Sequence, residues 1–178
     1  MKNKWNKWIF TLGCLLPFMA NAITVGSNYL IINVPILPSS CTIATGKSNL
    51  DVSLGPVTNN TLTTVGQLIT PGKSFDVSLT GCNSGIIGTV MTFSGATDND
   101  QPALLALSNP NAADTAKGLA IRLSDKANNI IDINKKMTLQ PLLPGDNTIT
   151  FNLAYQVTKV PVTTGNANAV LYLDLTYQ

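Results

Sequence analysis

The chain has 178 residues with 13 glycines and 10 prolines, a formal net charge of +2 and no histidine. The lack of histidine excludes Ser-His-Asp and Cys-His catalysis, and three cysteines alone cannot supply a four-ligand structural zinc site. Only 11% of residues are charged and the basic ones are not clustered, which excludes a nucleic-acid footprint and, with many Thr, Asn, Val and Leu, favours sheet over exposed helix.

The first 22 residues have the pattern of a secretory signal peptide. Lys2, Lys4 and Lys7 make a basic start, residues 8–19 are mostly apolar, and Ala20, Asn21 and Ala22 place small residues at the cleavage position. The apolar run is too short to span a bilayer and contains Pro17. Cleavage would remove both tryptophans (Trp5, Trp8), Cys14 and three lysines, leaving 8 of the 11 Lys+Arg against 9 Asp, a net charge of −1. The remaining chain, 23–178, suits one domain with a sizeable core. Its two cysteines, Cys41 and Cys82, are an even pair in an exported chain and imply a disulfide. Closing a loop of about 40 residues adds roughly 4 kcal/mol by constraining the unfolded chain.

Near the start of the mature chain Leu30, Ile32, Val34 and Ile36 alternate onto one face. Leu50, Val52 and Leu54 do the same before a turn at Gly55 and Pro56, and Phe75, Val77 and Leu79 repeat the pattern before Gly81 and Cys82. Further strands are expected at 88–93, 119–123 and 148–155, and the clearest alternation of all runs over 169–177, with Ala169, Leu171, Leu173, Leu175 and Tyr177 on one face. Residues 95–117, rich in Asn, Asp and Ala, are expected to form a loop with one helical turn at 103–107. Short strands divided by Gly, Pro and Asn, with no internal repeat, point to an all-β antiparallel sandwich.

Motifs that would carry chemistry fail on their context. Residues 66–74 (GQLITPGKS) superficially suggest a phosphate loop, but five residues separate the glycines and a strand, not a helix, is expected to follow. Asp98, Asn99 and Asp100 lack the glycine and distal glutamate of a calcium loop. Asn59, Asn60 and Thr61 fit a glycosylation acceptor, a short and common motif. No pair of aspartates is placed for acid–base work. The sequence therefore implies no enzyme, cofactor or metal.

The features in order resemble the pilin subunits of chaperone–usher fimbriae, especially the type 1 pilus family. Tyr177 is penultimate and Gly165 is the fourteenth residue from the end, where these subunits typically carry tyrosine and glycine. Residues 145–151 with Tyr155, then 164–169, look like the pilin ending. Cys41, the Leu54–Gly55 turn, residues 78–82 and the stretch 116–125 resemble the disulfide arrangement and a central strand of that family.

The resemblance implies an immunoglobulin-like sandwich, residues 38–178, that lacks its last strand. It further implies an N-terminal arm, 23–37, acting as donor strand through Leu30, Ile32, Val34 and Ile36, and an acceptor groove or chaperone contact at Leu171, Leu173, Leu175 and Tyr177. The implied partners are a periplasmic chaperone, an outer-membrane usher and neighbouring pilins in a head-to-tail polymer, with the fimbrium on the bacterial surface supporting adhesion. Type 1 pilins usually have glycine seven residues before the first cysteine; Val34 stands there and Pro35 follows, so the inserted strand either ends near Val34 or takes another register. The other reading is a carbohydrate-binding adhesive module at a pilus tip, with sugar stacking on Tyr29, Tyr155 or Tyr172.

Overall fold

A computed structural model describes residues 40–44, 50–57 and 62–178. The signal peptide, the arm residues Leu30, Ile32, Val34 and Ile36, Pro35, Tyr29, and the Asn59–Asn60–Thr61 motif lie outside the described residues.

The described residues form strands and no helix: β1 (Thr42–Ile43), β2 (Lys73–Cys82), β3 (Gly88–Ser94), β4 (Leu119–Asp125), β5 (Gln140–Pro141), β6 (Gly145–Val157) and β7 (Tyr172–Tyr177). They make two antiparallel sheets, one in the order β1-β2-β6-β4 and the other β5-β3-β7. The period-two alternation explains the layers: β2 turns Val77 and Leu79 inward, β3 turns Thr89, Met91 and Phe93 inward, and β4 turns Leu119, Ile121 and Leu123 inward, all buried. The sheets meet at three rings, Phe93 lying 4.9 Å from Phe151 and 6.4 Å from Phe75 by ring centroid. Edge-to-face pairs of this kind add about 0.5–1.5 kcal/mol each beyond burial.

One break in the alternation matters. Leu79 pairs with Asn147, but Cys82 pairs with Gly145, so β2 carries one extra residue there. Gly81 adopts φ +66°, a conformation available to glycine at little cost, and its N–H bonds to Asp146. The bulge reverses the in–out parity, so Cys82 faces the core, where it is bonded to Cys41.

Three expectations are corrected. Residues 50–54 have no ladder partner among the described residues, although Val52 and Leu54 are half-buried as their alternation suggested. The helical turn at 103–107 is absent. Leu104 closes a turn onto Gln101, and Leu105 then exchanges both backbone hydrogen bonds with Ile121 at 2.9 Å. Leu104, Leu105 and Leu107 are all buried, because this connection runs along the outer edge of β4 as an irregular segment instead of resting one helical face on the sandwich. Finally, β7 begins at Tyr172, not at residue 169. Its partner β3 ends at Ser94, and Gly95 is held instead by the Asn134 side chain.

Candidate functional site

The edges of the two sheets are finished differently. β4 has its outer side bonded by Leu105 and Ile131. β3 is flanked on one side by β5. β7, however, pairs with β3 only and no described residue pairs with its other side. Across the β3–β7 ladder the core also thins. Met91 and Phe93 are fully buried, whereas their cross-strand partners Leu175 and Leu173 are half-buried.

Beside β7 lies an open groove of about 1290 Å³. It is lined by Leu171 and Leu173 at β7 and by residues 50–57. Phe75, Val77, Phe93, Leu105, Ile121 and Tyr155 contribute core surface to its floor. The expected site residues therefore divide. Leu171 and Leu173 line the groove, while Leu175 and Tyr177 continue the same inward face beyond it, packed against the core. The lining by residues 50–57 was missed in the sequence. Their alternation was visible, but nothing local distinguishes a strand that pairs from one that does not.

Both ends of the groove wall are fixed. The Tyr177 hydroxyl donates to the Cys41 carbonyl at 3.2 Å, next to the Cys41–Cys82 disulfide, so the end of β7 and the root of the N-terminal segment are tied together. Burial raises the Tyr177 phenol above its ordinary value, and the bond to Cys41 works in the opposite direction. At the other end, a Cβ on Gly165 would lie 2.7 Å from the Asp114 carbonyl oxygen and closer still to the backbone of Thr115 and Ala116. Only glycine allows that approach, which lets Asn166 bond to Asp114 through both backbone and side chain.

The remaining candidates have structural roles. Tyr155 is buried, its phenol raised by desolvation, and its hydroxyl donates to the Ala167 carbonyl at 2.8 Å, so its ring is not presented for sugar stacking. Tyr172 is exposed. The Asp98 carboxylate accepts from the N–H groups of Asp100 and Gln101 and so closes a turn. Residues 66–72 lead directly into β2, with Leu68 bridging Gln156.

A family model described as fimbrial protein matches residues 30–178. The chain belongs to the fimbrial protein family. It is 32% identical over 171 residues to the S-fimbrial protein subunit SfaG of Escherichia coli O6:K15:H31, covering 94% of this chain and 95% of that one. A solved Burkholderia pseudomallei antigen and type I fimbria protein superposes with a TM-score of 0.60 at 32% identity, over 78% of this chain and 89% of that one. The P pilus rod subunit PapA shares the fold, with a TM-score of 0.64 at 23% identity, over 78% of this chain and 99% of its own. The fold is thus the immunoglobulin-like sandwich of the fimbrial subunits, and this member is a structural subunit of a surface fimbria, polymerised with other subunits.

Proposed function

We propose that the subunit polymerises by donor-strand exchange, the groove beside β7 receiving residues 23–37 of another copy or of a neighbouring pilin. The observation that carries this reading is that, among the described residues, the outer edge of β7 beside half-buried Leu173 and segment 50–57 both lack a ladder partner and both line one groove. A strand entering there could pair with both and complete the core in one step, the mode known as β-strand addition, for which chaperone–pilin complexes are a standing example. Burying Leu30, Ile32, Val34 and Ile36 at about 1.5–3 kcal/mol each would contribute roughly 6–12 kcal/mol. That rivals the stability of about 5–15 kcal/mol of an entire domain.

An apolar, unpaired edge is an aggregation hazard. We infer that a periplasmic chaperone lends a strand to the groove after export directed by residues 1–22, and that an outer-membrane usher hands the subunit to the growing fibre. Each subunit offers one arm and one groove, so the contact is head-to-tail and propagates instead of closing.

The test is deletion of residues 23–37. The truncated subunit should be captured by chaperone and should accept a synthetic 23–37 peptide, yet fail to occupy a neighbour's groove. Incorporation of the truncated protein into wild-type fibres at both ends would overturn the donor role. The tip-adhesin reading has less support: Tyr155 is engaged in the core and the family match covers a subunit throughout.

A further inference from the structure

At the end of the sandwich where β2 and β6 meet at Cys82 and Gly145, three large aliphatic side chains stand in water. Ile87 is 66% exposed, Leu139 42% and Leu143 74%. They stand on neighbouring backbone: Leu142, which precedes Leu143, donates its N–H to the Ile87 carbonyl, and Leu139 lies over Gly88, where a Cβ would be 2.9 Å from its Cδ1. Leu143 is also presented rigidly. It sits between Leu142 and Pro144, and the Asn147 side chain both accepts from the Leu143 N–H at 2.9 Å and donates to its carbonyl at 2.7 Å. An apolar side chain fixed outward on a braced turn loses little entropy on docking, which makes it a suitable anchor for a partner.

Chain continuity identifies the occupant. Cys41, bonded to Cys82 and to the Tyr177 hydroxyl, lies at this same end, so the N-terminal segment joins the sandwich beside the patch. Every ladder among the described strands is antiparallel. An arm completing the sheet antiparallel to β7 ends beside Tyr172, where β7 begins, and brings its own domain's patch against that end of the acceptor. There the acceptor presents Val170, 57% exposed, and Tyr172, 66% exposed.

We propose that the corner formed by Ile87, Leu139 and Leu143 is a second contact between successive copies of this chain, docking on Val170 and Tyr172 of the next copy. The proposal rests on the donor-strand reading above. Ile87, Leu139 and Leu143 do not line the groove, whereas Val170 and Tyr172 stand at its β7 side, so substitutions at the corner act on how fast and how stiffly copies join and not on whether a strand is accepted.

The test uses the full chain held by its export chaperone and compares wild type with Leu143→Asp, and with Leu143→Ser should the charged variant not accumulate. Two rates are measured: uptake of a synthetic peptide of residues 23–40, and assembly of subunit into subunit. The expected result is that Leu143→Asp leaves peptide uptake unchanged with assembly slowed tenfold or more, and that assembly recovers, relative to the peptide uptake of Val170→Lys alone, when Leu143→Asp is combined with Val170→Lys, since Val170 lines the groove. Equal assembly rates would overturn the second contact. Equal assembly in solution with lost display on the cell surface would assign the patch to the export machinery and overturn it also. Failure of wild type to take up the peptide at all would instead remove the donor-strand reading underneath.

Discussion

Gly165 and Gly81 show how single residues without side chains shape the site. At Gly165 the backbone of residues 114–116 comes too close for any Cβ. Gly165→Ala should therefore lower stability by about 1–3 kcal/mol, the range for overpacking, read as a shift of the urea midpoint of the chaperone-free, peptide-complemented subunit. An unchanged midpoint would mean that the segment yields without cost. Titration belongs to this scale as well. Asp125 is held below the ordinary carboxylate range, chiefly by the Asn129 side-chain amide. Its contribution is present above the unfolded value and lost as pH falls through the folded one; at an exposed site it is small. Tyr155 and Tyr177 are raised by burial, so their contributions are present below about pH 10 and lost as pH rises through the shifted values. With no histidine in the chain, the thermal midpoint should be flat from about pH 5 to 8, and fall below about pH 4 and above about pH 10. A step near pH 6.5 would contradict this assignment.

Among elements, β7 decides the behaviour of the fold. Replacing Leu173, which packs opposite Phe93 and lines the groove, with aspartate puts a charge where an incoming strand must bury apolar surface. Leu173→Asp should abolish chaperone capture and send the subunit to proteolysis; an unchanged periplasmic yield would count against the groove. The strands at 75–79, 88–93, 119–123 and 148–155 were legible because alternation reports which face is buried. It does not report whether a ladder partner exists. Residues 50–54 and 75–79 carry the same pattern, yet the first have no ladder partner among the described residues and the second pair with β6 along their whole length. The same limit hid the groove floor, where Leu105, Ile121 and Tyr155 come together from distant parts of the chain. The run Leu104, Leu105 and Leu107 suggested one turn of helix, when tertiary burial on both sides of an irregular segment was the cause. By contrast, the shared face of Leu171 and Leu173 is readable from period, whereas a groove beside them and the glycine at 165 come only from the resemblance of the chain's ending.

The described residues form a sandwich braced at one end, with one edge that no described strand pairs, and the brace is covalent. Cys41→Ser should lower the stability of the exported subunit by roughly 2–5 kcal/mol, measured as reduced yield and a lower denaturation midpoint; two free thiols found by mass spectrometry in the wild-type exported protein would contradict the bridge. Its position has a mechanical consequence. If the fibre is joined by donor strands as proposed, a pull along the axis would enter each subunit near Cys41. The disulfide would carry that load straight across to Cys82 and so into the paired strands β2 and β6. Residues 50–57, which line the groove, lie between the two cysteines in the chain and are bypassed by that route. Under the proposed linkage, reduction would route the load through those residues as well, so tensile strength should depend on the oxidation state of a single bond.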